Sequence, residues 1–281
     1  MTDAAPAAGD PALRLAVFGF GNLGSALVEG AIRKRVLHPR EVVAIEPDAA
    51  RAARAARIGC RVGSDAEAAR GASAALLSVK PQVWPEVAQG LAALPAGRLL
   101  ISVMAGIEST RIHSESGGTH RVVRAMPNTP ARIGLGITAI APSALGTDES
   151  AFVRGLFGSI GEVVEIPEEH LHAVTAVSGS GPAYIFRFAE CMEAAARQLG
   201  LPATVARALV SRTIRGAGAM LAEDGADPAI LRDAVTSRGG TTAAALEQFE
   251  RWGLEPAVCD AIAAAGERAR QLAGGVPAGT D

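Results

Sequence analysis

The chain has 281 residues, 49% of them hydrophobic and 20% charged, which supplies two ordinary domains with buried cores and excludes wholesale disorder. Lys and Arg total 27 against 29 acids, a net charge of -2, so no excess of basic charge argues for a nucleic-acid or anionic-membrane partner. The 3 cysteines, Cys60, Cys191 and Cys259, form no CxxC pair; that leaves a metal or redox-dithiol site unsupported and fits a reducing compartment.

Residues 1–12 are rich in Ala and Pro and hold no basic stretch followed by an apolar run, so they are expected to form a disordered tail and not a secretion signal. No stretch reaches the ~18 apolar residues of a membrane span, and a soluble, cytoplasmic protein is expected. Leu13–Gly19 (LRLAVFG) reads as a buried strand, followed by a glycine-rich turn and a helix over Asn22–Arg35 with apolar spacing at Leu23, Leu27, Ala31 and Ile32. Glu41–Ile45 is a second strand, and Asp48 caps an Ala/Arg helix running to Ile58. Strand Ser73–Val79, helix Pro81–Leu94, strand Arg98–Val103, a short helix at Glu108–His113 and strand Arg121–Ala125 continue the alternation. Units of this length imply a doubly wound parallel sheet with helices on both faces.

After Pro130 the rhythm changes. Gly136–Ala141 and Gly161–Ile166 read as strands flanking one helix and finishing the sheet at an edge. From Glu168 onward the chain reads as helices over Ala183–Leu199, Ala203–Glu223, Thr241–Trp252 and Pro256–Leu272. The domain boundary is placed near Pro167, with an α/β domain over 13–167 and an all-α domain over 168–281. Several of these helices are apolar around most of their circumference and need more than one partner, so a homodimer at least is expected.

Five segments carry candidate chemistry. Gly19-Phe20-Gly21-Asn22-Leu23-Gly24 is a GxGxxG between a strand and a helix, with Glu46 ending the next strand about 20 residues on. That context distinguishes a dinucleotide fingerprint from a simple turn. The first glycine makes the turn, the second admits a pyrophosphate and the third packs helix on strand. Glu46 suits a ribose 2′-hydroxyl and disfavours a 2′-phosphate, whereas Arg51, Arg54 and Arg57 recur on the next helix as a solvated face or a phosphate partner. The choice between NADH and NADPH stays open at this point.

Ser78-Val79-Lys80-Pro81 lies at the C-terminal end of a predicted strand, the edge at which such sheets bind ligands. Met126 and Asn128 lie in AMPNTP, where two prolines restrict the backbone and the Asn amide offers donors and an acceptor for a carboxamide or substrate. Ser178-Gly179-Ser180-Gly181-Pro182-Ala183-Tyr184 introduces the first long helix of the second domain. Thr236-Ser237-Arg238-Gly239-Gly240-Thr241-Thr242 precedes another, forming either a helix cap or an anion-binding nest suited to a carboxylate. His170 and His172 beside Glu168 and Glu169 read as a solvated helix start, because residues two apart do not share a helix face. No metal is expected.

Taken in order over nearly the whole chain, FGFGNLGSALVEG, VKP, RAMPNTPA, VSGSGPAY and VTSRGGTTAAAL resemble pyrroline-5-carboxylate reductase. The resemblance implies a Rossmann-type domain followed by a helical dimerisation domain, with the active site between a cofactor and the helical region. It implies NADPH or NADH as cofactor, pyrroline-5-carboxylate as substrate and proline as product. By the same implication Gly19, Phe20, Gly21, Asn22, Leu23 and Gly24 hold the pyrophosphate, and Glu46 lies at the ribose. Ser78, Val79, Lys80, Pro81, Met126 and Asn128 frame the nicotinamide, with Asn128 also reaching the substrate. Ser237, Gly239, Gly240 and Thr241 hold the substrate carboxylate, Thr242 hydrogen-bonds the ring nitrogen, and Thr242 and Lys80 are the catalytic positions. Two departures stand out: Arg238 replaces the proline usual in SPGGTT, and Glu46 is unexpected where many members look suited to NADPH. Competing readings are reduction of a related cyclic imine and a silent cofactor-binding regulator. A β-hydroxyacid dehydrogenase would use a lysine in its helical domain, yet Lys34 and Lys80 are the only lysines and both lie in the nucleotide domain.

Overall fold

The computed structural model describes residues 11–141 and 144–273, so the expected tail lies outside the described residues except for its last two positions. The first part of the chain runs β1 (Leu15–Phe18), α1 (Asn22–Arg33), β2 (Val42–Ile45), α2 (Ala49–Arg57), β3 (Arg61–Gly63) and β4 (Ala74–Leu77). It continues through α3 (Trp84–Ala92), β5 (Leu99–Ser102), α4 (Ser109–Glu115) and β6 (Arg121–Met126), then β7 (Gly136–Ile140), α5 (Thr147–Gly158) and β8 (Gly161–Glu165). The strands form one sheet in the order β3-β2-β1-β4-β5-β6-β7-β8.

The continuous apolar runs of β1, β2 and β4 follow from burial on both faces of the sheet. Alternate residues divide between two cores. Leu15, Val17, Val42, Ala44, Leu76 and Ile101 face one core with Leu27 and Val28 of α1 and Phe157 of α5. Ala16, Phe18, Val43, Ile45 and Leu77 face the other with Trp84 and Leu91 of α3 and Ile112 of α4. Helices therefore cover both faces, as the strand–helix alternation predicts.

Parallel pairing extends from β3 to β6, with Leu15 opposite both Val42 and Ala74. β7 runs antiparallel to β6, placing Ala125 opposite Ile140, and β8 runs parallel to β7. The expected parallel sheet thus carries one antiparallel pair, at the edge where the last two strands finish it. The link from β6 to β7 contains only a 3-10 turn over Thr129–Ile133, too little chain for the crossover that a parallel neighbour requires.

Contacts divide the chain into two compact units: one holds the sheet, extends through Gly179 and takes in the chain from Ala265, and the other is Ser180–Ala264. This grouping places the residues just after Pro167 with the sheet. There α6 (Leu171–Val174) buries Leu171 beside Met126, Ala139 and Ala141. Glu168 accepts hydrogen bonds from the Ser109 backbone N–H at 2.8 Å and from Arg124 Nη1 at 3.0 Å.

The remaining elements are α7 (Gly181–Gln198), α8 (Ala203–Leu221), α9 (Pro228–Ala234), α10 (Thr241–Arg251) and α11 (Leu254–Ala273). α7 stops where Gly200 adopts φ +90 and Pro202 caps α8, the expected punctuation of a helix end. α9 was not expected from the pattern, although Asp227 followed by Pro228 signals a helix start: Asp227 Oδ1 accepts from the N–H groups of Ala229 and Ile230 at 2.7 and 3.1 Å. In this unit Ala206 and Val210 are buried, whereas Phe186, Ile230 and Trp252 are 65%, 70% and 80% exposed. A single copy of these helices leaves much apolar surface in water, at odds with the burial that stabilises a helical domain.

Candidate active site

The strand order departs from its neighbour-to-neighbour run between β1 and β4. Open α/β sheets bind ligands at such a switch point, beyond the carboxyl ends of the strands. Here the chain leaves β1 through Gly19, whose φ of +90 a side chain would oppose; a Cβ there would also lie 2.6 Å from the Ser78 carbonyl oxygen. Gly24 is equally confined, because a Cβ would strike the Gly19 carbonyl oxygen and approach Ser78 Oγ. Gly21 differs from both. It precedes α1 as its N-cap, and a Cβ there would meet nothing within 4 Å. Two glycines thus close the turn on β4 while the third leaves open space over the free N–H groups of a helix N-terminus. A pyrophosphate fits such a cradle.

Phe20 is buried, Leu23 half-buried and Asn22 exposed. The Phe20 N–H donates to Glu46 Oε2 at 2.7 Å, so the carboxylate ending β2 is bonded directly to the glycine loop. Glu46 Oε1 accepts from the Asp48 N–H at 3.0 Å and lies 3.9 Å from Arg51 Nη1. Asp48 in turn caps α2, its Oδ1 accepting from the Arg51 N–H at 2.9 Å. The other arginines of α2 divide differently: Arg54 Nε donates to Glu29 at 2.9 Å, and Arg57 sits at the far end of the helix.

Ser78 and Val79 are half-buried against the loop, and the Ser78 N–H donates to the Phe18 carbonyl at 2.9 Å. Lys80 and Pro81 are exposed, with Lys80 capping the 3-10 turn that Pro81 opens. At the end of β6, Met126 is buried and its sulfur faces Gly179 of the VSGSGPAY segment. That segment begins inside a π-turn over Thr175–Gly179, a geometry that often marks functional positions. Asn128 Oδ1 accepts from the Ile137 N–H at 3.1 Å, anchoring the MPN turn to β7 and leaving the amide nitrogen as its donor group. The loop, Glu46 and the Ser78–Val79 segment are therefore gathered at the switch point, with direct contacts linking each to the loop.

The second cluster belongs to the helical unit. Gly239 adopts φ +70, the Gly240 N–H donates to the Ser237 carbonyl at 3.0 Å, and Gly240 then caps α10 without a side-chain hydrogen bond. The first N–H groups of α10 therefore have no capping side chain. Ser237, Arg238, Gly239 and Thr241 are exposed and Thr242 is half-buried. Consecutive N–H groups and hydroxyls of this kind suit an anion. Sequence reasoning did not anticipate the bond from Phe20 to Glu46 or the Glu168–Ser109–Arg124 cluster, since each depends on partners distant along the chain.

The sheet order, the glycine turn and its acidic neighbour define a Rossmann-type dinucleotide-binding protein joined to a helical unit. Residues 14–106 match the family model described as NADP oxidoreductase coenzyme F420-dependent, and residues 168–272 match pyrroline-5-carboxylate reductase dimerisation. The chain is 37% identical to pyrroline-5-carboxylate reductase of Synechocystis sp. over 92% of its own length and 98% of that relative. It resembles the solved pyrroline-5-carboxylate reductase of Coxiella burnetii with a TM-score of 0.85 and 30% identity, covering 93% of this chain and 99% of that one. The Plasmodium falciparum enzyme, solved with NADP bound, gives a TM-score of 0.79 at 26% identity, with 93% and 98% covered. The chain belongs to the pyrroline-5-carboxylate reductase family.

Proposed function

We infer that this protein reduces the C=N bond of pyrroline-5-carboxylate to give L-proline, using NADH or NADPH, and that it works as a homo-oligomer. The observation that carries the reading is the open space at Gly21 over the α1 N-terminus, at the switch point of a chain that matches this family almost end to end. When bound, the cofactor supplies a hydride. Gly19, Phe20, Gly21, Asn22, Leu23 and Gly24 hold its pyrophosphate, Glu46 its ribose, and Ser78, Val79, Lys80, Pro81, Met126 and Asn128 its nicotinamide end. Asn128 donates through its amide nitrogen because its oxygen already accepts from Ile137.

On the substrate side, Ser237, Gly239, Gly240 and Thr241 receive the carboxylate, which suits the free N–H groups at the start of α10. The Thr242 hydroxyl accepts from the N–H of the protonated imine and stays hydrogen-bonded to that nitrogen as it becomes a neutral amine. Lys80, exposed at the C-terminal edge of the sheet, lies on the cofactor side and helps to hold the nicotinamide end. A protonated imine already accepts hydride, so the protein acts mainly by orientation, and no acid–base dyad is required. The exposed thiols Cys191 and Cys259 suit a reducing, cytoplasmic setting.

Steady-state oxidation of NADH and NADPH, each with pyrroline-5-carboxylate, tests the proposal. Turnover that requires this substrate supports it. Cofactor binding without turnover favours the related cyclic-imine reading, which Arg238 in place of the usual proline makes the specific alternative, and then the regulator reading.

A further inference from the structure

We propose that Glu46 makes this protein discriminate in favour of NADH and against NADPH. The inference rests on the dinucleotide reading above and deepens it, by assigning the chemical feature that selects between the two cofactors.

Glu46 is 5% exposed, at the end of β2, where an acidic residue in this fold meets the adenosine ribose. Its carboxylate cannot swing aside without loss, because Oε2 accepts from the Phe20 N–H at 2.7 Å and Oε1 from the Asp48 N–H at 3.0 Å. Each oxygen keeps a second lone pair for a ribose hydroxyl. A 2′-phosphate offers no proton in its dianionic form and would bring like charge against a fixed anion.

The surrounding groups do not reverse that balance. Arg51 Nη1 lies 3.9 Å from Glu46 Oε1 and is the neighbouring cation, but Asp48 adds a second carboxylate at the same turn. The α2 N-terminus, where a phosphate would seek backbone donors, has its Arg51 N–H already taken by Asp48 Oδ1. Arg54 is paired with Glu29 at 2.9 Å. Two carboxylates against one guanidinium leave the position anionic and supplied with acceptors, the chemistry of a hydroxyl-binding site.

Binding of each cofactor to the full-length protein, without substrate, is followed by the fluorescence change of NADH or NADPH in the wild type and in Glu46→Gln. The wild type is expected to bind NADH at least about tenfold more tightly, the scale of a carboxylate–phosphate repulsion in a partly solvated site. Glu46→Gln narrows the gap to about threefold or less by removing the charge. Wild-type preference for NADPH, equal affinity, or a preference unchanged in the variant overturns the assignment. Failure of both cofactors to bind overturns the dinucleotide reading beneath it. Should Glu46→Gln not fold, Glu46→Ser replaces it, and competition of ADP-ribose against 2′-phospho-ADP-ribose on the wild type still decides the preference: equal competition contradicts it.

Discussion

A side-chain carbon on Gly24 would run into the carbonyl oxygen of Gly19, so the first and third glycines of the turn are fitted to each other as well as to β4. Gly21, between them, has no such neighbour. The same residue type thus closes the turn at two positions and leaves open space at the third, and substitutions separate the two.

Gly21→Ala is expected to fold normally, since its φ of -70 suits any residue and its Cβ meets no protein atom, yet to weaken NADH binding about tenfold or more by filling the pyrophosphate space. Gly24→Ala, whose Cβ meets backbone, is expected to lower stability by about 1–3 kcal/mol as well as binding. Thermal melts paired with cofactor titrations distinguish them. A Gly21→Ala protein with undiminished cofactor affinity would remove the pyrophosphate from this turn.

Thr242→Ala is expected to lower kcat about 100- to 1,000-fold, the range for losing one polar group at a reacting centre, while cofactor affinity stays within about twofold. Thr242→Ser keeps the hydroxyl and should recover much of the rate. Equal kcat in the wild type and the alanine variant would sink the role at the ring nitrogen.

Glu168 makes stability depend on acid. Burial raises its pKa, but hydrogen bonds from the Ser109 hydroxyl and N–H and the Arg124 guanidinium outweigh it, holding the carboxyl below its ordinary value of 4.5. A depressed pKa stabilises the folded chain above the unfolded value, and that contribution is lost as pH falls through the folded one. The melting temperature should therefore fall below about pH 4.5 more steeply in the wild type than in Glu168→Gln. Parallel acid limbs for the two proteins would count against this cluster.

Cys60 should resist thiol reagents. Burial, reinforced by the nearby Glu29 charge, pushes its pKa up to about 11, so the reactive thiolate is scarce at pH 8. Peptide mass spectrometry after brief alkylation of native protein should find Cys60 unmodified and full modification of all three thiols after denaturation. Rapid native labelling of Cys60 would show that the core around α2 opens.

Much of this was legible before any coordinates. β1, β2 and β4 lie buried on both faces, which forces continuous apolar runs, and the glycine turn is legible because its backbone and its space each exclude side chains. β3 escaped notice because three residues, Arg61 among them, at a sheet edge carry no pattern. The direction of β7 was hidden for another reason: apolar spacing reports which face is buried and not which way a strand runs. By its place in the motif Glu46 points to a ribose. Its bond to Phe20, 26 residues away, is a tertiary contact that no local spacing records. The cluster of Glu168 with Ser109, 59 residues away, was hidden in the same way.

The central claim is hydride transfer to the imine carbon, and isotope transfer tests it most directly. The protein is incubated with pyrroline-5-carboxylate and cofactor carrying deuterium at C4 of the nicotinamide, on each face in turn, and the proline formed is analysed by mass spectrometry and NMR. One deuterium at C5 of L-proline, delivered from one face only, is the predicted result. Absence of proline from an active preparation that binds cofactor, or proline without the label from either face, contradicts it.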